Sequence, residues 1–338
     1  MSTPDDPQAF AALVQRESAS LRSAPPPGAA ALDLDECLAH GAELKDKVVL
    51  VTGSGSGFGR AYARKVASFG AKLVLSDLRK EHVQEVADEI IAAGGKATAI
   101  ACDVTDWDAQ VRMFKHAIST YGVVDVVVAN AGIGEPESDR YLNLKPDADG
   151  DPTKPSLRTL GPNVTGVAYT AKLAFFYLDK NPAKKGKSLV VLGSMASFFG
   201  LPGGPIYSAS KHAVLGLARS LVFDGMAYGI SVNIVNPFFV KTNIFGTAAS
   251  LLLAGIPLPE IDDVVTAMIA ASSKPDTTGS AFVVDFKGVL EVPLAAESNG
   301  PSGYYEVFAR RAAGAIIFGK WLSDVVSAVF GRFRSTRL

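Results

Sequence analysis

Seven short apolar runs, most of them separated by a helix-length segment, restrict this chain more than any other feature. The runs are 47–52, 72–77, 97–103, 123–130, 188–193, 230–236 and 281–285, and they are built mainly from Val, Ile, Leu and Ala. A strand covered on both faces needs apolar side chains at nearly every position rather than at alternate ones. The intervening segments 57–69, 80–93, 107–121, 157–178, 207–227 and 260–273 place apolar residues at helical spacing. Strand and helix in alternation mean crossover connections, parallel pairing and helices on both faces. The expected architecture is a Rossmann-like, doubly wound α/β domain with a seven-stranded parallel sheet, spanning residues 45–290.

The ends differ in character. Residues 1–44 are rich in Ala, Pro and Ser, with Pro25, Pro26 and Pro27 in a row, and read as an extension that is partly disordered or drapes over the body. The polar segment 134–155 reads as a surface loop longer than the fold needs. Residues 291–338 form a C-terminal extension in which Phe318, Trp321, Leu322, Val325, Val329 and Phe333 make an apolar stripe at helical spacing. Arg332, Arg334 and Arg337 crowd its end, and the uncharged stretch 312–319 is too short to span a bilayer. Two readings of the stripe stay open: packing on the domain or a partner subunit, and contact with a membrane surface.

Composition removes several classes of function. A formal net charge of −1, with no basic face before the last residues, argues against nucleic acid as a partner. Cys37 and Cys102 stand far apart and the chain has four His, so neither a disulfide framework nor a metal site is expected. The acidic start, with Asp5 and Asp6, shows no secretory signal, and a cytoplasmic, reducing location is the expectation.

After the first run comes Thr52-Gly53-Ser54-Gly55-Ser56-Gly57-Phe58-Gly59, and then a helix. Glycines let the backbone turn tightly and approach a diphosphate, whose charge suits the N–H groups at a helix start. The cofactor site is therefore placed at Gly53, Ser54, Ser56, Gly57, Phe58 and Gly59. Asp77 ends the second run about 20 residues on, where a carboxylate accepts the ribose hydroxyls of NAD and repels the extra phosphate of NADP. Its bland alternative is a helix N-cap. Arg79 and Lys80 nearby are the argument for NADP, but NAD is favoured. Asp103 and Val104 end the third run, where adenine would lie, and Asn130, Ala131 and Gly132 end the fourth.

Tyr207 and Lys211 stand four residues apart on one expected helix, so the phenol and the ammonium share a face. A nearby cation favours the phenolate and lowers a pKa that is otherwise about 10. Together these residues resemble the short-chain dehydrogenases/reductases in their single-domain branch. The resemblance rests on Thr52, Gly53, Gly57 and Gly59, on Asp103, on Asn130 to Gly132, and on Asn163, Ser194, Tyr207 and Lys211 in order. It covers about 45–285 and leans toward NAD-dependent, prostaglandin-dehydrogenase-like members. It implies that Tyr207 is the acid/base and that Ser194 hydrogen-bonds the same substrate oxygen. It further implies that Lys211 holds the nicotinamide ribose and that Asn163 anchors a proton-relay water. Thr242 would contact the carboxamide, and a homodimer or homotetramer would form through the helices at 157–178 and 207–227.

Two departures from that pattern stand out. Phe238 replaces a usual glycine after Pro237, and the seventh run ends in Asp285-Phe286-Lys287 where the family has Asp-Gly-Gly. The substrate wall would include Met195, Phe198, Phe199, Leu201, Pro202, Phe238, Phe239, Ile244, Phe245 and 251–253, which suits a hydrophobic secondary alcohol or ketone. The expected activity is hydride transfer between NAD and such a substrate. The alternatives are a non-catalytic NAD(H)-binding sensor and a dehydrogenase working on lipid at a membrane surface.

Overall fold

The computed structural model describes residues 28–135, 141–142, 144–183, 185–240, 257–274, 277–293, 314–315, 317–323 and 325–326. A three-residue strand, β1 (Ala30–Leu32), comes first. The seven apolar runs follow as β2 (Val48–Thr52), β3 (Lys72–Asp77), β4 (Lys96–Ala101), β5 (Val126–Ala129), β6 (Ser188–Leu192), β7 (Ser231–Pro237) and β8 (Ser280–Asp285), and a further strand, β9 (Gly288–Pro293), closes the series. All seven run parallel in the order β4-β3-β2-β5-β6-β7-β8, while β9 adds to β8 antiparallel and β1 adds antiparallel to β9. The order reverses between β2 and β5, which opens a crevice at the carboxyl ends of the strands.

The helices are α1 (Leu34–Ala39), α2 (Gly57–Ser68), α3 (Lys80–Ala92), α4 (Trp107–Tyr121), α5 (Val167–Asp179), α6 (Pro205–Tyr228) and α7 (Ile261–Ser273). Because side chains alternate along a strand, Val49 and Val51 of β2 enter one core with α2, α3 and α7. Val48 and Leu50 enter the other, with α4, α5 and α6. Every residue of β2 is buried, which is why its sequence reads as an unbroken apolar run. Helix α5 begins later than its periodicity suggests, after a π-helical turn at Gly161–Gly166.

The sheet also takes in residues on either side of 45–290. After β8 the carboxylate of Asp285 accepts the Lys287 N–H at 2.7 Å, and the chain turns back as β9. β1 then pairs β9, with Ala31 opposite Leu290. Between β1 and β2, Cys37 of α1 and Leu44 are buried in the same core as Val264 and Met268 of α7. Residues 30–44 are thus part of the packed body. Residues 1–27 lie outside the described residues.

Phe238 needs no glycine-like conformation. Its N–H continues the ladder to the Val284 carbonyl at 2.8 Å, and its φ is not positive. Near the C-terminus, residues 317–323 form a helix that meets the domain through Lys320, whose amine donates to Asp179 Oδ1 at 3.2 Å and sits 4.5 Å from the Tyr228 ring centroid. Among the described residues no helix is long and apolar enough to cross a membrane.

Candidate active site

The glycine-rich turn joins β2 to α2 at the crevice. Gly53 has φ +65°, and a Cβ there would stand 2.7 Å from the Ala131 Cα, so the turn presses on the end of β5. A Cβ on Gly59 would meet the Gly53 carbonyl oxygen at 2.4 Å and Asn130 Nδ2 at 2.6 Å. Asn130 explains that closeness: its amide donates to the carbonyls of Thr52 and Gly53 at 2.8 and 2.9 Å. Thr52 Oγ1 in turn accepts the N–H groups of Asn130 and Ala131, each at 3.1 Å. Two strand ends are thereby stitched into one rigid floor.

Among the described residues a Cβ on Gly57 would meet nothing within 4 Å, and no side-chain oxygen caps the first turn of α2. Open space in front of uncapped N–H groups at a helix start fits a diphosphate. Ser56 is the extended residue before the helix and Phe58 its second residue. Ser54 is turned inward, its N–H and hydroxyl both donating to the Ser76 carbonyl, at 2.9 and 3.2 Å. It therefore shapes the turn from behind.

Asp77 caps the end of β3. Its Oδ2 accepts the Gly55 N–H at 3.0 Å and its Oδ1 accepts the Arg79 N–H at 3.2 Å, which ties the carboxylate to the glycine turn itself. The N-cap position of α3 belongs to Arg79. Asp103 accepts the N–H and hydroxyl of Thr105 at 2.8 and 2.7 Å, an Asx turn that ends β4. Val104 packs where a Cβ on Gly166 would lie, at 2.7 Å, so that strand end is wedged against the π turn before α5.

The residues expected to react come from three elements. Ser194 precedes a short 3-10 turn at Met195–Ser197; its Oγ accepts the Ala196 N–H at 3.1 Å, and it lies near enough to Tyr207 to favour the ionised phenol. Its N–H is held by Ser197 Oγ and by Asn236 Oδ1, each at 3.2 Å. Tyr207 lies in the first turn of α6, and Lys211 is one turn on, its amine 5.7 Å from the Tyr207 ring centroid. That amine donates to the Leu192 carbonyl at 2.9 Å. Gly132 separates it from Asn163: a Cβ on Gly132 would stand 3.9 Å from Lys211 Nζ and 3.0 Å from Asn163 Oδ1.

The electrostatics correct one expectation. Burial pushes the Tyr207 phenol up from its ordinary value, and the nearby Ser194 opposes the rise without cancelling it. Lys211 does not enter that balance. Instead, burial pulls Lys211 itself down to about 8. The amine sits behind the ring and is committed to a backbone carbonyl, so the protein alone does not turn the pair into a depressed tyrosine.

Asn163 lies in the π turn with its side chain fully engaged. Its Oδ1 accepts the Ile133 N–H at 2.8 Å, and its Nδ2 donates to the Ile133 carbonyl and Ser210 Oγ at 2.9 and 3.1 Å. It fastens the loop after β5 to α6. Thr242, Ile244, Phe245 and 251–253 lie outside the described residues.

One residue here escaped the sequence reading. Glu135 Oε2 accepts the N–H groups of Ile206 and Tyr207 at 2.9 and 3.0 Å, capping α6 from another loop. Pro205 opens that helix and Gly204 offers no side chain, so no local residue could do so. The other oxygen, Oε1, is buried and has no hydrogen-bond partner among the described residues. A carboxylate three residues after Gly132 was the visible signal, but only the folded path brings it to the helix carrying Tyr207.

The family model for short chain dehydrogenase matches residues 47–250. Secoisolariciresinol dehydrogenase of Forsythia intermedia is 35% identical over 200 residues, covering 59% of this chain and 68% of the relative. Cyclohexanol dehydrogenase of Acinetobacter sp. (strain SE19) is 31% identical over 250 residues, covering 72% and 95%. Among solved structures, 3-ketoacyl-(acyl-carrier-protein) reductase from Brucella melitensis, complexed with NADH, superposes with a TM-score of 0.62 at 30% identity, covering 72% of this chain and 98% of that one. A short-chain type dehydrogenase/reductase from Mycobacterium marinum gives 0.64 at 28%, covering 74% and 98%.

Proposed function

From the premise that this chain belongs to the short-chain dehydrogenase family, whose members are NAD(P)-dependent oxidoreductases of alcohol and ketone groups, we propose that it oxidises a hydrophobic secondary alcohol with NAD. The observation that carries this reading is the placing of Ser194 beside Tyr207, with the Lys211 amine 5.7 Å from the Tyr207 ring centroid. Tyr207 takes the proton from the substrate hydroxyl, and Ser194 holds the same oxygen as charge develops on it. Lys211 faces the ribose side. Asn163 acts by fixing Ile133 and Ser210 around the reacting pair. Bound NAD supplies the hydride acceptor, and the glycine turn, Asp103, Val104, Asn130 and Gly132 position it. Asp77, tied to Gly55, supports NAD over NADP, since a carboxylate there would repel a 2′-phosphate.

The substrate class is supported by Phe198, Phe199, Phe238 and Phe239 near the strand ends, and by relatives named for cyclohexanol and secoisolariciresinol. Homodimer or homotetramer formation through α5 and α6 is supported by Phe176 and Met226, which are half exposed on those helices. The free, buried thiols Cys37 and Cys102 support a cytoplasmic setting. A second reading keeps the chemistry and sets it at a lipid surface. It is favoured by the apolar residues that the C-terminal helix turns outward.

A panel of secondary alcohols that starts with cyclohexanol, followed by NADH absorbance, tests the proposal. Turnover with NAD is expected, and Tyr207→Phe lowers it by about 10²–10⁴-fold while NADH binding is kept. Turnover with NADP alone would reject the cofactor assignment. Full activity in Tyr207→Phe would reject the mechanism.

A further inference from the structure

The helix at 317–323 lies on the domain the wrong way round for an amphipathic helix that covers its own core. Its inward contact is the polar Lys320, which reaches Asp179 and the Tyr228 ring. Ile317, Phe318, Trp321, Leu322, Val325 and Val326 are between 38% and 60% exposed. Successive side chains on a helix are about 100° apart, so these six fall within one half of its circumference and Lys320 falls in the other. Among the described residues the stripe is turned to water, which leaves a partner subunit or a membrane surface as what it would meet. A continuous apolar half-face turned to water marks a contact with something else.

Charge identifies the partner. The stretch 327–338 contains Arg332, Arg334 and Arg337 and no Asp or Glu. Phe318 and Trp321 stand side by side at 5.6 Å between ring centroids, an aromatic pair of the kind that settles at headgroup depth. A parallel two-fold pair with a second copy would bring the same arginines together, like charge against like. An apolar half-face followed by uncompensated arginines instead matches a lipid surface that carries anionic headgroups.

We propose that residues 317–326 tether the enzyme to anionic lipid, with the reacting centre facing away from the surface. The direction follows from topology. Asp179 and Tyr228 end α5 and α6 at the amino edge of the parallel strands, whereas Ser194 and Tyr207 lie at the carboxyl edge. The surface therefore holds the enzyme in place and does not deliver substrate to the crevice. This deepens the lipid-surface reading and stands apart from the dehydrogenase chemistry.

The test is sedimentation of the full chain with vesicles of phosphatidylcholine alone, or mixed with phosphatidylserine. The intact chain is expected to sediment with the mixed vesicles. Phe318→Ser combined with Trp321→Ser should weaken partitioning at least about tenfold. Replacing Arg332, Arg334 and Arg337 by Gln should reduce the preference for phosphatidylserine by about fivefold per arginine. NADH binding, measured on the same samples, should be unchanged in every variant, which separates loss of the tether from loss of the fold or of the dehydrogenase reading. An intact chain that stays in the supernatant with both vesicle types would overturn the proposal. So would an aromatic variant that sediments normally but loses mass by light scattering, since the face would then belong to a second copy.

Discussion

Lys211 carries an amine into a place where one backbone oxygen, that of Leu192, receives it. Its value falls from 10.5 to about 8, so below about pH 8 the folded state holds a buried charge at full cost, and that cost fades as pH rises toward 10.5. Lys211→Met should therefore raise stability by about 1–3 kcal/mol at neutral pH, with the gain shrinking by about pH 10, while abolishing turnover. Urea unfolding at the two pH values checks both sign and size. A gain that grew with pH would contradict the burial argument. The Tyr207–Lys211 pair was legible in the sequence because a four-residue spacing fixes a shared helix face. How deeply the pair is buried was not, and burial is what reverses the expected direction at Tyr207. Glu135 was hidden for another reason: its bond to the Ile206 N–H spans 71 residues.

Two glycines of the first turn separate crowding from conformation. At Gly59 an added Cβ collides with backbone at 2.4 Å, so α2 must move away from the end of β2. At Gly57 the space is open and the obstacle is φ +53°, worth about 1 kcal/mol for a residue with a Cβ. Gly59→Ala should thus abolish NADH binding in a fluorescence titration, whereas Gly57→Ala should lower the melting temperature by a few degrees and bind more weakly. Equal affinity in the two variants would show that the approach of α2 to the turn is not what builds the site. Elements of this kind were readable because β2, β5 and β6 are buried along their whole length and show it as unbroken apolar runs. β9 contains Glu291 and Pro293 and is half covered, and β1 is three residues of which two are exposed, so neither has such a run.

The whole molecule is a two-sided sheet whose face under α7 is completed by residues from before the first parallel strand. Cys37 and Leu44 are nearly as buried as the strands. Removing residues 1–33, and with them β1, should cost about 1–2 kcal/mol, because that strand buries little. Removing 1–44 should cost about 2–5 kcal/mol more, because the face of α7 is then uncovered. Denaturant titration of both truncations, with NADH binding as a control, measures the difference. Equal loss in the two would place the stabilising contacts in β1 instead. The pairing of β1 with β9 also has a bearing on synthesis. Ala30 leaves the ribosome among the first residues of the fold, yet its partner Glu291 follows some 260 positions later (291 − 30 = 261). One margin of the sheet must therefore stay open until β9 has been made, and a chain that stops short of it would expose the bare edge of β8 to any passing strand.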